Sequence, residues 1–519
     1  MKINLSKSRT AGRLAAGGSL LLGTAGVGMF LAPHAGATGS TFTVTNTNDA
    51  GAGSLRQALI DANFNAGADT VVFDVAVSGT ITLASPLEVT GSVTVQGPGS
   101  TILSVSSATQ QIFYLYQAGV SRDVSISGLT LTGGALAIHS WSTNLVLDDV
   151  VASGSTVDSA IILDSKNPSL DQSLTIRNSV ITGANVEQDG AGIRVEDGFG
   201  QHDVSIDNTK ITYNTATNTG GLRVRNAASV VVSNSFISGN SSNGSGGGAY
   251  FGDEVGDVKF ISTSVDGNKC TRGWGGGLYS NNATFEILNS TVSNNTASYG
   301  GGGLQFDDMQ TVATISNTTI TGNTAAGGGG VRMEAMASLT INQSTITENR
   351  STDSSYHGGG VMLYSQGQKP MTLTMSGTIV SSNTSVDTAN ADIDVKDGGA
   401  TIVDASRSLL GDGTVDSVVT FVGSPNVRSN APGLGVLADN GGLTKTMALL
   451  TGSPAIDAGP NQLATFTGNG FDQRATPYLR VCGGRVDIGA FEWQSTPTPS
   501  TTTTTNEPSS DPVAPAFTG

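Results

Sequence analysis

A recurring pattern, [Ile/Val]-x-x-Asn, constrains the fold of this chain more than any other feature. Six copies of the pattern end at Asn214, Asn240, Asn268, Asn295, Asn323 and Asn349, and a variant copy, IVSSN, ends at Asn383. Successive asparagines are separated by 26, 28, 27, 28, 26 and 34 residues. A glycine run and an apolar residue follow most copies, as in Gly327 to Val331. A period in the twenties, kept over this many copies, predicts a solenoid in which each repeat is one turn.

The residue types within each repeat favour strands over helices. Runs such as SLTINQ and STITEN place β-branched residues at every second position and are interrupted by glycine, which is typical of short strands. Three brief strands per repeat, joined by Gly and Asn turns, make one turn of a parallel β-helix. Some twelve turns between about residues 86 and 425, with strands about 4.8 Å apart, predict a rod roughly 60 Å long. With the usual hand of parallel crossovers, we predict an all-β, single-stranded right-handed parallel β-helix, a pectate-lyase-like solenoid.

The repeat predicts a structural device, not a ligand site. An Asn at an internal bend lies on the Asn of the next turn and hydrogen-bonds to it, and each such bond is worth about 1 kcal/mol net. Glycine suits the following corner, because it accepts positive φ and close approach of the next turn. A phosphate-binding loop would need a strand, one glycine-rich loop and a helix. No helical pattern follows any of the six glycine runs.

The ends of the predicted coil differ from its repeats. Near the start, GSLRQALIDANFN contains Ser54 and Gln57 at capping-box spacing and one apolar face, which predicts a helix over 54–64. We assign residues 38–85 to this N-terminal strand–helix cap and residues 86–430 to repeats of about 27 residues. Residues 431–493 no longer follow the pattern, and we predict an irregular C-terminal cap that protects the open strand edges.

Two terminal segments are predicted to lie outside the fold. Residues 1–37 combine cationic residues, an apolar stretch from Leu14 to Leu31 and the small-residue site Ala35-Gly36-Ala37, the order of a secretory signal peptide. Residues 494–519 form a Pro/Thr/Ser-rich tract, typical of an extended linker. Together they predict an exported protein, secreted or held at the cell surface.

Charge limits the partners of the chain. The formal net charge of −16 argues against nucleic acid and anionic membranes, since both attract basic patches. No segment after the leader is long and apolar enough to span a bilayer. We expect a monomer without a cofactor; calcium would suit the acidity, but no motif supports it. Cys270 and Cys482 are compatible with free thiols or with one bridge.

The end segments resemble known bacterial families. GSLRQALIDAN is similar to the CSLREA-type N-terminal element of secreted proteins, with Gly53 where that family usually has Cys. LADNGGLTKTMALLTGSPAIDAG and DIGAFE resemble the choice-of-anchor Q domain, and the repeats resemble polymorphic outer-membrane-type repeats. The resemblance covers nearly all of residues 41–493. It implies an exported, often surface-attached bacterial protein whose anchor varies, and it implies no catalytic residues.

One column of the repeat carries the candidate ligand-binding residues. The residues just before the glycine runs are Thr219, Ser245, Trp274, Tyr299, Ala326 and His357. This register predicts Trp274 and Tyr299 on adjacent turns, flanked by Arg272 and Tyr356. The segment from Asn349 to Gly358 is longer than its counterparts, and insertions in solenoids tend to lie on the binding face. The aromatic residues are candidates for holding sugar rings or a peptide; the alternative is that they only seal a corner.

A second column lies four residues past the glycines and is partly acidic. It contains Glu196, Arg225, Asp307 and Glu334, with Asp308 next to it. Asp307 and Glu334 are predicted to be one turn apart, and carboxylates at roughly 5 Å would suit a retaining glycosidase or help to bind calcium. The alternative is a solvated polar turn. The Arg base and aspartate motifs of pectin-active β-helix enzymes are not recognisable in the sequence.

These observations predict a non-catalytic exported protein that binds a polysaccharide or a partner protein. The alternative is a polysaccharide lyase or glycoside hydrolase that works in a groove along the coil. The fold by itself does not separate the two.

Overall fold

The computed structural model describes residues 38–494 except 117–120, 142, 165–171, 197–201, 253, 282, 309–310, 336–337, 366–370, 387–389, 397–400, 414–419, 423–424, 464 and 467. The predicted signal peptide and nearly all of the predicted linker lie outside these residues. The described helix, Leu55–Phe64, has 10 residues. In the described part of the chain no helix is both long and apolar enough to cross a membrane.

The described strands form a parallel β-solenoid with a 12-stranded sheet on one side. That sheet contains Leu87–Val89, Phe113–Leu115, Ile138–Trp141, Ile161–Asp164, Ile193–Glu196, Leu222–Arg225, Ala249–Gly252, Leu278–Asn281, Leu304–Asp307, Val331–Glu334, Val361–Tyr364 and Ile393–Lys396. Each strand pairs in parallel with its counterpart in the next turn, as Leu304 does with Val331. One strand per turn gives about twelve turns, which confirms the predicted fold class.

The other walls are formed by three further ladders of parallel strands, a long-strand ladder, a short-strand ladder and a two-residue ladder. The long-strand ladder contains Thr41–Val44, Asp69–Phe73, Val93–Gln96, Arg122–Gly133, Thr143–Ser153, Gln172–Arg177, His202–Asp207, Ala227–Ser233, Asp257–Ile261, Thr284–Leu288, Val312–Ser316, Ser338–Asn342, Thr372–Ser376, Ile402–Ser406 and Thr420–Val422. The short-strand ladder shares Arg122–Gly133 and Thr143–Ser153 and adds Gly79–Leu83, Leu103–Ser107, Val180–Thr182, Lys210–Thr212, Phe236–Ser238, Ser264–Asp266, Thr291–Ser293, Thr319–Thr321, Thr345–Thr347, Ile379–Val380, Leu409–Leu410 and Val427–Arg428. A two-residue ladder contains Thr215–Ala216, Ser241–Ser242, Lys269–Cys270, Thr296–Ala297, Thr324–Ala325 and Arg350–Ser351.

One turn illustrates how the sequence produces these walls. The strand Val312–Ser316 ends at Asn317, whose φ of 48° redirects the chain into Thr319–Thr321. Gly322, with a φ of 68°, makes the next bend and places Asn323 inside the coil. Asn and Gly tolerate positive φ better than other residues, which is why they recur at these two bends. Alternate apolar side chains then point inward and pack into one continuous core.

The repeated Asn forms a buried hydrogen-bonded ladder along the coil. The Nδ2 of Asn323 donates to Asn349 Oδ1 at 2.9 Å and to the carbonyl of Val292 at 2.9 Å. The same Oδ1 of Asn349 also accepts the backbone N–H of Asn323 at 3.1 Å. The out-of-step Asn383 joins the ladder, and it donates to Asp392 Oδ1 at 3.0 Å. Each amide is therefore fully used, as a buried polar group must be.

A second polar ladder, which the sequence analysis missed, runs beside it. Buried Ser and Thr hydroxyls follow the first left-handed bend of each turn and accept a backbone N–H from the turn before. The hydroxyl of Ser235, for example, accepts from Thr209 N at 3.1 Å and donates to the carbonyl of Ser233 at 2.6 Å. The recurring Asn-Ser and Asn-Thr pairs were its sequence signal.

At the N-terminus of the helix Leu55–Phe64, only half of the expected capping box is formed. Ser54 Oγ accepts from Gln57 N at 3.1 Å, the first half of the expected capping box. The side chain of Gln57 instead donates to Asp61 at 2.8 Å, while Ser54 N donates to Gly51 O. The reciprocal bond predicted by S-x-x-Q is therefore not made. Leu55, Ala58, Leu59 and Ala62 are buried against the first turns.

The C-terminal segment lies along the short-strand ladder. It contains an antiparallel pair, Leu434–Ala438 with Thr446–Leu449. Gln473 bonds to Thr291 and Thr319 on adjacent turns, and the backbone of Ala490 donates to Thr345 Oγ1 at 3.0 Å on the turn after. These contacts are made to the side of the coil, whereas a simple end cap would contact only its last turn. The motifs GFDQRA and DIGAFE supply these contacts.

Cys270 and Cys482 do not form a disulfide with each other. Cys270 is buried with Ala297 and Ala325 under the two-residue ladder, whereas Cys482 is half-buried in the C-terminal segment. Burial raises the pKa of the Cys270 thiol, which keeps it protonated and unreactive.

Candidate functional site

The outer face of the 12-stranded sheet carries two columns of polar and aromatic side chains. In each four-residue strand the first and third residues point into the core, as do Val331 and Met333. The second and fourth residues therefore face outward. The outward column at the second position includes Tyr114, His139, Arg194, Arg223, Tyr250, Tyr279, Gln305 and Arg332. The column at the fourth position includes Trp141, Asp164, Glu196, Asp307, Glu334 and Tyr364.

A cleft of about 420 Å³ opens on this face. Its floor is formed by Arg332, Glu334 and Tyr364 of the sheet, and its walls are Trp274, Tyr299, Ala326, Asp353 and Tyr356. The structure thus brings the aromatic column and Glu334 of the acidic column into one concave site. We call this site the aromatic cleft.

Trp274 and Tyr299 form the exposed wall of the aromatic cleft. Their ring centroids are 5.0 Å apart and the planes are tilted by 56°. Trp274 is 39% exposed and Tyr299 is 48% exposed, so both rings keep surface that a ligand can cover. Large aromatic side chains in a concave site supply contact area at low entropic cost.

Arg332 is the central residue of the floor. Its guanidinium lies 2.9 Å from Glu334 and 5.3 Å from the ring centroids of both Tyr356 and Tyr364. A Cβ at Gly300 would lie 2.6 Å from Arg332 Nη1, so any larger residue there would have to displace the Arg332 side chain. The side chains of Arg332 and Glu334 are 6% and 12% exposed. Charge pairing and cation–π contacts offset the cost of their burial.

The longer segment after Asn349 forms the opposite wall of the cleft. Ser351 Oγ donates to the carbonyls of Ala326 and Tyr356, and Ser355 N donates to Asp353 Oδ1 at 2.6 Å. Lys396 Nζ donates to the carbonyl of Ser355 at 2.6 Å and lies 4.9 Å from the ring centroid of Tyr356. These bonds hold Asp353 and Tyr356 in position.

The remaining predicted site residues do not line the cleft. Arg272 is exposed at the corner. His357 turns toward the following strand, where its backbone N–H bonds to the buried carboxylate of Asp394. Asp308 has a φ of 76° and its N–H donates to Asp307 Oδ1 at 3.0 Å, as part of the bend that ends the strand.

Asp307 is set in a second cluster, one turn before Glu334. Its Oδ2 accepts from the hydroxyl of Tyr279 at 3.2 Å, and the rings of Tyr279 and Tyr250 are stacked 5.1 Å apart. Burial, and then the nearby charge of Glu334, raise the pKa of Asp307. Burial and the charge of Asp307 likewise raise the pKa of Tyr279, so its hydroxyl stays protonated and donates.

The second-position column, with Arg332 of the cleft floor, was not predicted from the sequence, and neither was Tyr364 of the fourth-position column. The signal was present: the second residue after each glycine run must point outward if the first points inward. Arg332 and Met362, and likewise Tyr250 and Tyr279, are paired in register on adjacent strands. The contact between Arg332 and Tyr356, however, depends on the path of the longer segment after Asn349, which no periodicity specifies.

In the described residues, no group of three or more His, Cys, Asp or Glu side chains is arranged to hold a metal ion. The Asp307–Glu334 pair therefore has no third ligand of these types among them.

Comparison with protein families supports the architecture. A family described as "Right handed beta helix region" matches residues 248–384. The crystal structure of pectate lyase Pel9A is similar at 13% identity and a TM-score of 0.34, over 88% of this chain and 97% of that chain. No curated protein matches. Strand pairing and the family match together make this chain a right-handed parallel β-helix protein.

Proposed function

We propose that this chain is a non-catalytic exported protein that binds a polysaccharide in the aromatic cleft. One observation supports this role above the others: the exposed rings of Trp274 and Tyr299 stand beside Arg332, Glu334 and Asp353 in one open cleft. Sugar rings present apolar C–H faces that cover aromatic rings, and hydroxyls that bond to carboxylates and guanidinium groups. An open cleft suits a polymer, because the chain enters and leaves without threading.

The charges of the cleft favour a neutral or amine-bearing glycan. Arg332 is already paired with Glu334, and Asp353 adds a further negative charge to the lining. A polyuronate would bring a carboxylate on every ring against these groups. The net charge of −16 would also repel a polyanion at long range. A neutral glucan meets no such cost, and an amine-bearing glycan such as chitosan is attracted.

Attachment to a bacterial cell surface is part of the same proposal. The leader-like residues 1–37 and the resemblance of the end motifs to the CSLREA-type and choice-of-anchor Q families support export. An exported solenoid with a lateral cleft would hold a wall or matrix polysaccharide, and a partner protein is the outcome to expect if no glycan is retained.

The first test is native affinity electrophoresis of the full-length chain in gels with a neutral β-glucan, chitosan or polygalacturonate. We expect retardation by the neutral or amine-bearing polymer and none by polygalacturonate. Trp274→Ala should weaken the retardation about tenfold, equivalent to about 1.4 kcal/mol. Tyr213→Ala is the matched control, because Tyr213 is 63% exposed at a bend outside the 12-stranded sheet. Equal retardation of both variants would exclude the aromatic cleft as the binding site.

The alternative is a glycoside hydrolase, and the environment of Asp307 is the observation that favours it. A carboxyl with a raised pKa is suited to act as a general acid, and Asp307 has Glu334 as a neighbouring carboxylate. Incubation of the chain with the retained polymer decides between the two. New reducing or unsaturated ends that disappear in Asp307→Asn would establish the enzyme and refute non-catalytic binding.

A further inference from the structure

A second group of aromatic side chains lies on the same face of the 12-stranded sheet, near its N-terminal end. Tyr114 and Tyr116 stack at 5.7 Å with planes 9° apart. His139 lies 5.8 Å from Tyr114 and 4.8 Å from Trp141 between ring centroids. The four rings therefore form a continuous surface across two adjacent strands, which we call the N-terminal platform.

The N-terminal platform retains accessible ring surface. Tyr116 is 44% exposed, close to the 48% of Tyr299 in the cleft. The side chain of His139 is 19% exposed, and Tyr114 and Trp141 are half-buried. The platform therefore has ring surface that a ligand can cover.

Carboxylates flank the platform on both sides. Glu88 pairs in register with Tyr114 and is exposed. Asp164 pairs in register with Trp141, and its Oδ2 lies 3.0 Å from His139 Nε2. The platform thus has the same types of group as the aromatic cleft: neighbouring aromatic rings, carboxylates beside them and one basic side chain paired to a carboxylate.

Among the described residues between the platform and the cleft, charged side chains are paired with one another. Arg194 lies 2.8 Å from Asp158, and Arg223 lies 2.5 Å from Glu196. Arg223 also covers Tyr250, with its guanidinium carbon 4.8 Å from the ring centroid. Because these charges satisfy one another, they present a polar floor that a neutral or amine-bearing chain can cross.

The spacing relates the two sites to each other. Five strand-to-strand steps separate the strand of Trp141 from the strand that follows Trp274. At about 4.8 Å per step this is roughly 24 Å along the coil. We infer that the N-terminal platform is a second subsite that holds the same glycan chain as the aromatic cleft, so that long chains bind both sites at once. This inference rests on the proposed glycan binding by the cleft.

Graded oligomers distinguish one site from two. Titration calorimetry of the full-length chain with oligomers of chitosan and of a neutral β-glucan should give two short oligomers per protein. Oligomers longer than about 24 Å should give a stoichiometry of one and bind at least tenfold more tightly, because the second contact becomes intramolecular. Tyr116→Ala should reduce the short-oligomer stoichiometry to one and remove the gain for long oligomers.

Variants separate the failure of this inference from that of the proposed function. Tyr116→Ala is preferred to Trp141→Ala because its exposed ring can be removed with little effect on folding, and Tyr213→Ala is again the control. One short oligomer per wild-type chain, lost in Trp274→Ala and unaffected by Tyr116→Ala, would refute the second subsite and leave the cleft in place. Absence of binding by every oligomer would refute both.

Discussion

Arg332 and Glu334 form an ion pair of 2.9 Å whose side chains are only 6% and 12% exposed, and the guanidinium lies 5.3 Å from the ring centroids of both Tyr356 and Tyr364. Both side chains stand on the same strand, two residues apart, and both point out of the core. A surface pair of this kind would contribute little, but this pair lies under Tyr356 and Tyr364. Its two charges therefore depend on each other far more than exposed charges do.

The first prediction concerns this pair. Arg332→Met should lower the free energy of unfolding by about 3 kcal/mol, because it leaves the carboxylate of Glu334 buried without its cation. Glu334→Gln in the same chain should recover more than half of that loss. A double-mutant cycle in urea measures the coupling. Additive losses would mean that the two charges do not interact.

The second prediction concerns the buried Asn ladder. Asn323→Ala removes the acceptor for both the backbone N–H and the side-chain amide of Asn295, and the donor to the carbonyl of Val292. Leaving buried polar groups unpaired costs about 1–3 kcal/mol each, so we expect a loss of at least about 3 kcal/mol by chemical denaturation.

Asn243→Ala is the control for the ladder variant, since Asn243 is an exposed asparagine in the same region of the coil. Its effect should stay within about 0.5 kcal/mol. If both variants are equally stable, the ladder does not hold the turns together.

The third prediction concerns how the C-terminal segment is held. Gln473 donates to Thr291 Oγ1 at 2.9 Å and to Thr444 Oγ1 at 3.0 Å, and it accepts from Thr319 Oγ1 at 2.6 Å. Gln473→Ala should loosen the segment from the coil. Limited proteolysis followed by mass spectrometry should then find faster cleavage within residues 432–494.

The exposed Gln462 provides the matched control for that experiment. Gln462→Ala should leave the cleavage rate unchanged. A Gln473→Ala chain that is cleaved as slowly as the wild type would show that the apolar contacts of Ile488 and Phe491 suffice.

The fourth prediction concerns pH. Burial, and then the charge of Asp487, raise the pKa of Glu492 from its usual 4.5 to about 8. Between these values the folded chain holds a proton that the unfolded chain has released. Stability should therefore fall as the pH rises from about 5 to 9, by up to a few kcal/mol from this group. The buried Asp487, whose pKa is also raised, acts in the same direction.

Fluorescence of Trp493 in a Trp141→Phe/Trp274→Phe chain would report this region alone, because the sequence contains three tryptophans. Urea unfolding at pH 5, 7 and 9 measures the trend. Glu492→Gln should be less sensitive to pH than its parent. An unchanged pH dependence in that variant would exclude Glu492 as the source.

The local chemistry of the repeat was enough to predict the coil. The spacing of Asn214 through Asn349, the alternation of β-branched residues and the glycine corners each allow only short strands in stacked turns. Stacking in turn places Trp274 next to Tyr299, because equivalent positions of neighbouring repeats lie one strand spacing apart. The Ser/Thr ladder has its own sequence signal, the recurring Asn-Ser and Asn-Thr pairs at the first bend of many turns.

The tertiary structure decided everything that depends on segments that break the period. The longer segment after Asn349 brings Tyr356 to Arg332 and Asp353 to the same cleft, whereas His357 bonds to Asp394. Gln473 hydrogen-bonds to Thr291 and Thr319, which lie more than 150 residues earlier in the sequence. The sequence alone determines the contacts between equivalent positions of neighbouring repeats, since a repeated residue packs against its own copies in the next turns. Contacts between residues at different positions of the repeat, or outside it, depend on the path of the chain, and only the packed structure determines that path.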